Sequence, residues 1–197
     1  RVRLAEPNGL CIELVHGMAR TTAAPPAGHA MNTAGQPRNR RPGNSQVAPG
    51  LSRVHRIGHG VLFTPDVAGT TQWLQDRLGM LVSDVVLADA DAQVRGNFLR
   101  MDRGDEPVDH HTLLVAHGPV AGLHHLSFEV LDFDDLMVGH EHLRRLPYTH
   151  LWGISRHVQG GQVSDYWVDP DGVMFEHWTD GDRLQAGEPV RHLTQSQ

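Results

Sequence analysis

One order of signals occurs twice between Arg53 and Asp182, and this limits the fold more than any composition figure does. "RIGHGVLFT" reads as a strand, and "DVAGTTQWLQDRLG" as a helix with Asp66 at its N-cap and Gly79 as its stop. "MLVSDVVLA", "RGNFLRMD" and "DHHTLLVAH" read as three strands, and "GPVAG" as a turn. The order then restarts: "LHHLSFEVL" strand, "FDDLMVGHEHLRRL" helix, then "THLWGISRH", "QVSDYWVD" and "VMFEHWTD" as strands. His59 to His125 and Asp66 to Asp132 are both 66 residues, and His111 to Glu176 is 65. Matching offsets in a matching order describe two tandem βαβββ modules. The expected fold class is α+β, with both modules in one curved, partly closed mixed sheet.

A second echo lies outside this unit. "EPNGLCIELV", from Glu6, and "DPDGVMFEHW", from Asp169, share a turn followed by a strand at a constant offset of 163 residues. Residues 1–17 are therefore expected to be the remnant last strand of a preceding N-terminal domain. Residues 18–52 are rich in Pro, Ala, Gly, Asn and Arg, hold no acidic residue and read as a linker. Residues 53–187 form the main domain and 188–197 a tail.

Composition removes several function classes. A formal charge of −6 argues against nucleic acid as a partner. No run of 18 apolar residues suggests a membrane span, and no signal-peptide pattern opens the chain, so a cytoplasmic location is expected. Cys11 is the only cysteine, which excludes disulfide stapling and cysteine-based zinc sites. The 15 histidines stand out, because His is the commonest metal ligand and titrates near neutrality.

Each module has a His in its first strand, His59 and His125, and the matching last-strand positions hold His111 and Glu176. Strand alternation puts His59 on the same face as Val61, and His125 on the same face as Ser127. Two His and one carboxylate on separate strands can form a facial triad suited to a non-haem Fe(II) with open coordination positions. Three His and one Glu could instead bind zinc more fully.

The pieces "RIGHGVL", "DHHTLLV", "GLHHLSFEV", "SRHVQGGQVSDYWVDPDG" and "FEHWTDGD", in this order, resemble the type I extradiol ring-cleaving dioxygenases of the vicinal oxygen chelate superfamily. That superfamily also contains glyoxalase I and bleomycin-resistance proteins. The resemblance runs from about Arg53 to Arg183. It implies that 53–187 is the catalytic domain, its sheet curved around a metal site, with Fe(II), or Mn(II) in its place, on His59, His125 and Glu176. It implies an acid–base role for His111, a group that works best when it titrates near neutrality. It implies supporting roles for His157 and Tyr166. The implied partners are a small aromatic diol and O2, with no nucleic acid or membrane, in a homo-oligomer. Where many relatives carry a polar pair after the "RH" motif, this chain reads Val158-Gln159-Gly160-Gly161-Gln162. A glyoxalase-like metal enzyme and a non-catalytic resistance-type binding protein are the rival readings.

Overall fold

The computed structural model describes residues 1–19 and 47–194, so most of the expected linker lies outside the described residues. In chain order the elements are β1 (Val2–Ala5), β2 (Cys11–Leu14), β3 (Val54–Thr64), α1 (Val67–Leu78), β4 (Met80–Leu87), β5 (Val94–Met101), β6 (Val108–Asp109) and β7 (Leu113–His117). The second half holds β8 (Gly122–Val130), α2 (Phe133–Leu143), β9 (Thr149–Arg156), β10 (Val163–Val168), β11 (Met174–Thr179), β12 (Arg183–Leu184) and β13 (Arg191–Thr194). Nine strands make one mixed sheet in the order β13-β4-β5-β7-β3-β8-β11-β10-β9. Read outward from its centre, each module has the same order: first strand, last strand, third, second. The two modules meet where β3 pairs antiparallel with β8.

Local chemistry explains both helices. The Asp66 carboxylate accepts from the Gly69 N–H and starts α1. Gly79 ends it in the left-handed region at φ 66°, where its N–H donates to Gln75 O. Asp132 accepts from the Asp135 N–H and starts α2. That helix ends at Leu143, short of the expected "LRRL" run, because Arg145 and Leu146 donate to carbonyls three residues back. The helices pack on one face of the sheet. Val67, Leu74, Met80, Leu99 and Val115 form the core under α1, and Val130, Leu136 and Val163 the core under α2. Fully buried Leu74, Leu99 and Leu136 each contribute about 1.5–3 kcal/mol of burial. Alternation then turns the polar residues of the same strands to the other face.

Three expectations change. "DHHTLLVAH" is not one strand: β6 and β7 are separated by His110, His111 and Thr112. The backbone there is drawn to three partners, with His110 N–H donating to Asp182 O, Thr112 N–H to Leu99 O, and Ser83 Oγ to His110 O. His110 and His111 are therefore both buried, rather than alternating in and out. The segment read as a tail supplies β13, which pairs parallel with β4. Its anchor is Arg191, whose Nε and Nη2 donate to the two Asp84 oxygens at 2.8 Å each. Residues 1–17 hold two strands, not one: β1 and β2 form a hairpin with Ala5 opposite Cys11. Val168 opposite Met174 in β10–β11 is the same pairing 163 residues on. The hairpin seats on α1, where buried Glu6 accepts from Thr70 Oγ1 at 2.8 Å and Ile12 packs on the α1 core.

No helix among the described residues is long and apolar enough to cross a membrane.

The Asp84 carboxylate is fully buried and also lies 3.0 Å from His110 Nε2. Burial pushes its pKa up, but His110 and Arg191 outweigh that and hold it below the usual carboxylate range. Such a group stabilises the fold above the unfolded-state pKa, and the contribution is lost as pH falls through the folded value. Arg191→Ala should cost about 1–2 kcal/mol in urea unfolding near pH 7, given that Arg191 is half exposed. The gap to the parent chain should shrink only as pH falls below the usual carboxylate range and through the lowered folded value of Asp84, where the carboxylate gains its proton.

Candidate metal centre and active site

His59 on β3, His125 on β8 and Glu176 on β11 turn to the face away from the helices and are 4%, 5% and 0% exposed. His59 Nε2 lies 3.0 Å, and His125 Nε2 3.5 Å, from Glu176 Oε2. One ligand atom from each lies within 4.8 Å of the others. These approaches lack hydrogen-bond alignment: among the described residues, His125 Nε2 and both Glu176 oxygens are buried without a hydrogen-bond partner. Buried donors and acceptors left unpaired are costly, and here they converge on a common point. The set therefore fits a divalent cation: two imidazole nitrogens and one carboxylate on one side, the other side open. Burial pushes Glu176 up, but His125 and His59 push harder the other way and hold it well below the usual carboxylate range. Trp178, two residues on from Glu176, backs the site. A Cβ at Gly58 would stand 2.5 Å from its indole nitrogen, so β3 needs glycine next to His59.

The other three expected residues join this group. His111 stands in the break before β7, its ring centroid 4.1 Å from that of His59. His157 follows β9, and its Nε2 lies 2.8 Å from the hydroxyl of Tyr166 on β10. The Tyr166 ring meets His125 edge-on at 5.4 Å. Five of the six residues, all but Glu176, line one cavity of about 60 Å³, closed by Phe98, Leu114, Gln159 and Gln162. One water needs roughly 10–15 Å³ of such space, so the cavity is more than a packing defect.

Burial, then the neighbouring His59, holds His111 well below the ordinary histidine value rather than near neutrality. Its ring is neutral at pH 7, with one N–H and one lone pair to offer. Burial also lowers His157, against the pull of Glu176. Burial and the Glu176 carboxylate raise Tyr166, which keeps its hydroxyl proton.

Register corrects one reading of the repeat. Glu176 pairs with Ser127, two residues beyond His125. In the first module Leu114 pairs with Val61, two residues beyond His59. The counterpart of Glu176 is therefore Leu114, not His111. Of four symmetry-related inward positions, three carry metal-binding side chains and the fourth an aliphatic one. Gln159 and Gln162 were legible only as a departure from the family pattern, and Phe98 and Leu114 carried no signal beyond an apolar strand.

With the geometry in place, residues 56–177 match the family described as the Glyoxalase/Bleomycin resistance protein/Dioxygenase superfamily. The chain belongs to that superfamily. It is 31% identical over 144 residues to Metapyrocatechase 2 of Cupriavidus necator, a match covering 73% of this chain and 42% of that protein. The chain thus spans less than half the length of this curated relative. Among solved structures it is similar to the 2,3-dioxygenase LapB from Pseudomonas sp. KL28, with TM-score 0.65 and 19% identity, over 73% of this chain and 48% of that one. It is also similar to a Mn(II)-bound glyoxalase from Novosphingobium aromaticivorans, with TM-score 0.62 and 27% identity, over 72% of this chain and 43% of that one.

Losing an outer partner of a metal ligand typically costs roughly 10–100-fold in affinity. Glu176→Ala removes one of the three candidate donors outright and should weaken divalent-metal binding by more than that in a competition titration, with circular dichroism confirming the fold. Undiminished affinity would rule out the three-residue centre.

Proposed function

We propose that this chain is the catalytic part of an Fe(II)-dependent extradiol dioxygenase. It would open a catechol ring beside, not between, the two hydroxyls, and both atoms of O2 would enter the product. One observation carries the reading: the donor set stops at three, with Leu114 in the fourth symmetric position and the neutral His111, His157 and Tyr166 around the same cavity. A divalent metal bound there supplies a template and Lewis acid for a substrate with two neighbouring oxygens. The likeness to Metapyrocatechase 2 supports a catechol as that substrate. Mn(II) is the alternative ion that the glyoxalase likeness supports.

The protein side chains then have distinct tasks. Tyr166 keeps its proton and can donate from its hydroxyl to a substrate oxygen, with His157 fixing its direction. His111, its ring tilted against that of His59 in the same cavity lining, can hold a proton at a ring nitrogen and pass it to an oxygen beside it. Phe98 and Leu114 supply the apolar surface against which an aromatic ring packs. A glyoxalase-like enzyme with four protein donors fits less well, because Leu114 cannot donate. A binding protein without chemistry would gain nothing from buried donors left unpaired. A homo-oligomer in the cytoplasm remains part of the proposal.

Fe(II)-loaded protein should consume O2 with a panel of catechols and give a yellow ring-opened product. His111→Phe should keep its iron while turnover falls about 100- to 10,000-fold, the span of a lost acid–base group. Full iron occupancy with no oxygen uptake on any catechol would end this reading.

A further inference from the structure

A second His–His–carboxylate group lies on the opposite face of the same sheet. His140 comes from α2, His150 from β9 and Asp165 from β10. Asp165 directly precedes Tyr166, and neighbouring strand residues face opposite ways. Tyr166 faces the cavity, so Asp165 faces the helix layer. Asp165 Oδ1 lies 3.1 Å from His140 Nδ1 and 3.0 Å from His150 Nε2. The three ligand atoms all lie within 4.8 Å of one another.

We propose that His140, His150 and Asp165 form a second metal site, taking a zinc-like divalent ion that pins α2 and β9 to β10. Two features argue for this. The first is convergence: both imidazole nitrogens meet the same carboxylate, His150 Nε2 at Oδ1 and His140 Nδ1 at 3.1 Å from each of the two oxygens. Bonds of about 2.0–2.2 Å to a shared ion would leave its ligand atoms roughly 3 Å apart. Oδ2 is already held by the Trp167 indole N–H at 2.6 Å, as an outer partner orients a ligating carboxylate.

The second feature is burial. The Asp165 side chain is fully buried, and an ionised carboxylate there needs a compensating cation. His150, by contrast, is 34% exposed and opens a route for an ion from solvent. His177, the register partner of Asp165 on β11, keeps a buried Nδ1 without a hydrogen-bond partner among the described residues. Two imidazoles and a carboxylate suit a borderline ion such as Zn(II) better than Ca(II) or Mg(II), which prefer all-oxygen sites. The site lies at a helix–sheet interface, ringed by Trp167 and by the two imidazoles, and its role is structural.

The rival reading is a purely hydrogen-bonded network, and stoichiometry separates the two. Metal-stripped full chain, dialysed against buffered Zn(II) and analysed for the element, should hold two ions per chain. His150→Ala and His140→Gln should each hold one. Glu176→Ala should also hold one, and added Zn(II) should raise its melting temperature. The Glu176→Ala, His150→Ala double variant should show neither effect. One ion in the parent chain, or two ions kept in both histidine variants, would overturn the proposal. A third of the His150 side chain is exposed, so its variant should fold even if the Glu176 variant does not. The result is independent of whether any catechol is turned over.

Discussion

The structure depends on the seam between β3 and β8. Their antiparallel pairing, with Val61 opposite His125, joins the two modules and sets every later distance. Each of these strands is flanked by its own module's last strand in parallel, β7 beside β3 and β11 beside β8. Four strands thus bring their inward residues to one place without a loop having to carry a ligand. Strands position side chains more rigidly than loops do, which is what a metal centre needs. The helices do not build the centre directly. They close the opposite face over the two apolar cores.

The structure manages its buried charge by one device used three times. Glu176, Asp165 and Asp84 are each fully buried, and each faces two basic side chains. The partners are His59 and His125 for Glu176, His140 and His150 for Asp165, and His110 and Arg191 for Asp84. A buried carboxylate left alone would cost more than its packing returns. Five of the 15 histidines serve here and two more line the cavity, so much of the unusual composition has a physical reason. The groups differ in what they are open to. Glu176 borders a cavity, Asp165 meets solvent through His150, and Asp84 is sealed by an ion pair.

Much of this was legible in the sequence, for reasons that can be named. Period-two alternation around His59 and His125, and capping aspartates at 66 and 132, showed the two modules because those signals are local. Equal spacing within the repeat marked His59 and His125 as counterparts, and the family resemblance set Glu176 beside them. What was missed depends on long-range contacts. Asp84 and Arg191 are 107 residues apart, and nothing near "RHLT" shows that it closes a sheet edge. The Asp165 group draws on three elements whose spacing has no counterpart in the first module. The counterpart of Glu176 was misplaced because the break at His110–Thr112 absorbs residues that a sequence offset counts as strand.

Leu114 shows how a duplicated fold acquires new chemistry. Two copies of one module present four equivalent inward positions, and a perfectly symmetric product would fill all four alike. Here symmetry is broken at one of them. The number of donors, and with it the room left for small molecules, is then set by single side chains on a scaffold that need not change. On such a scaffold a single codon can change the number of donors at the site while the backbone stays as it is.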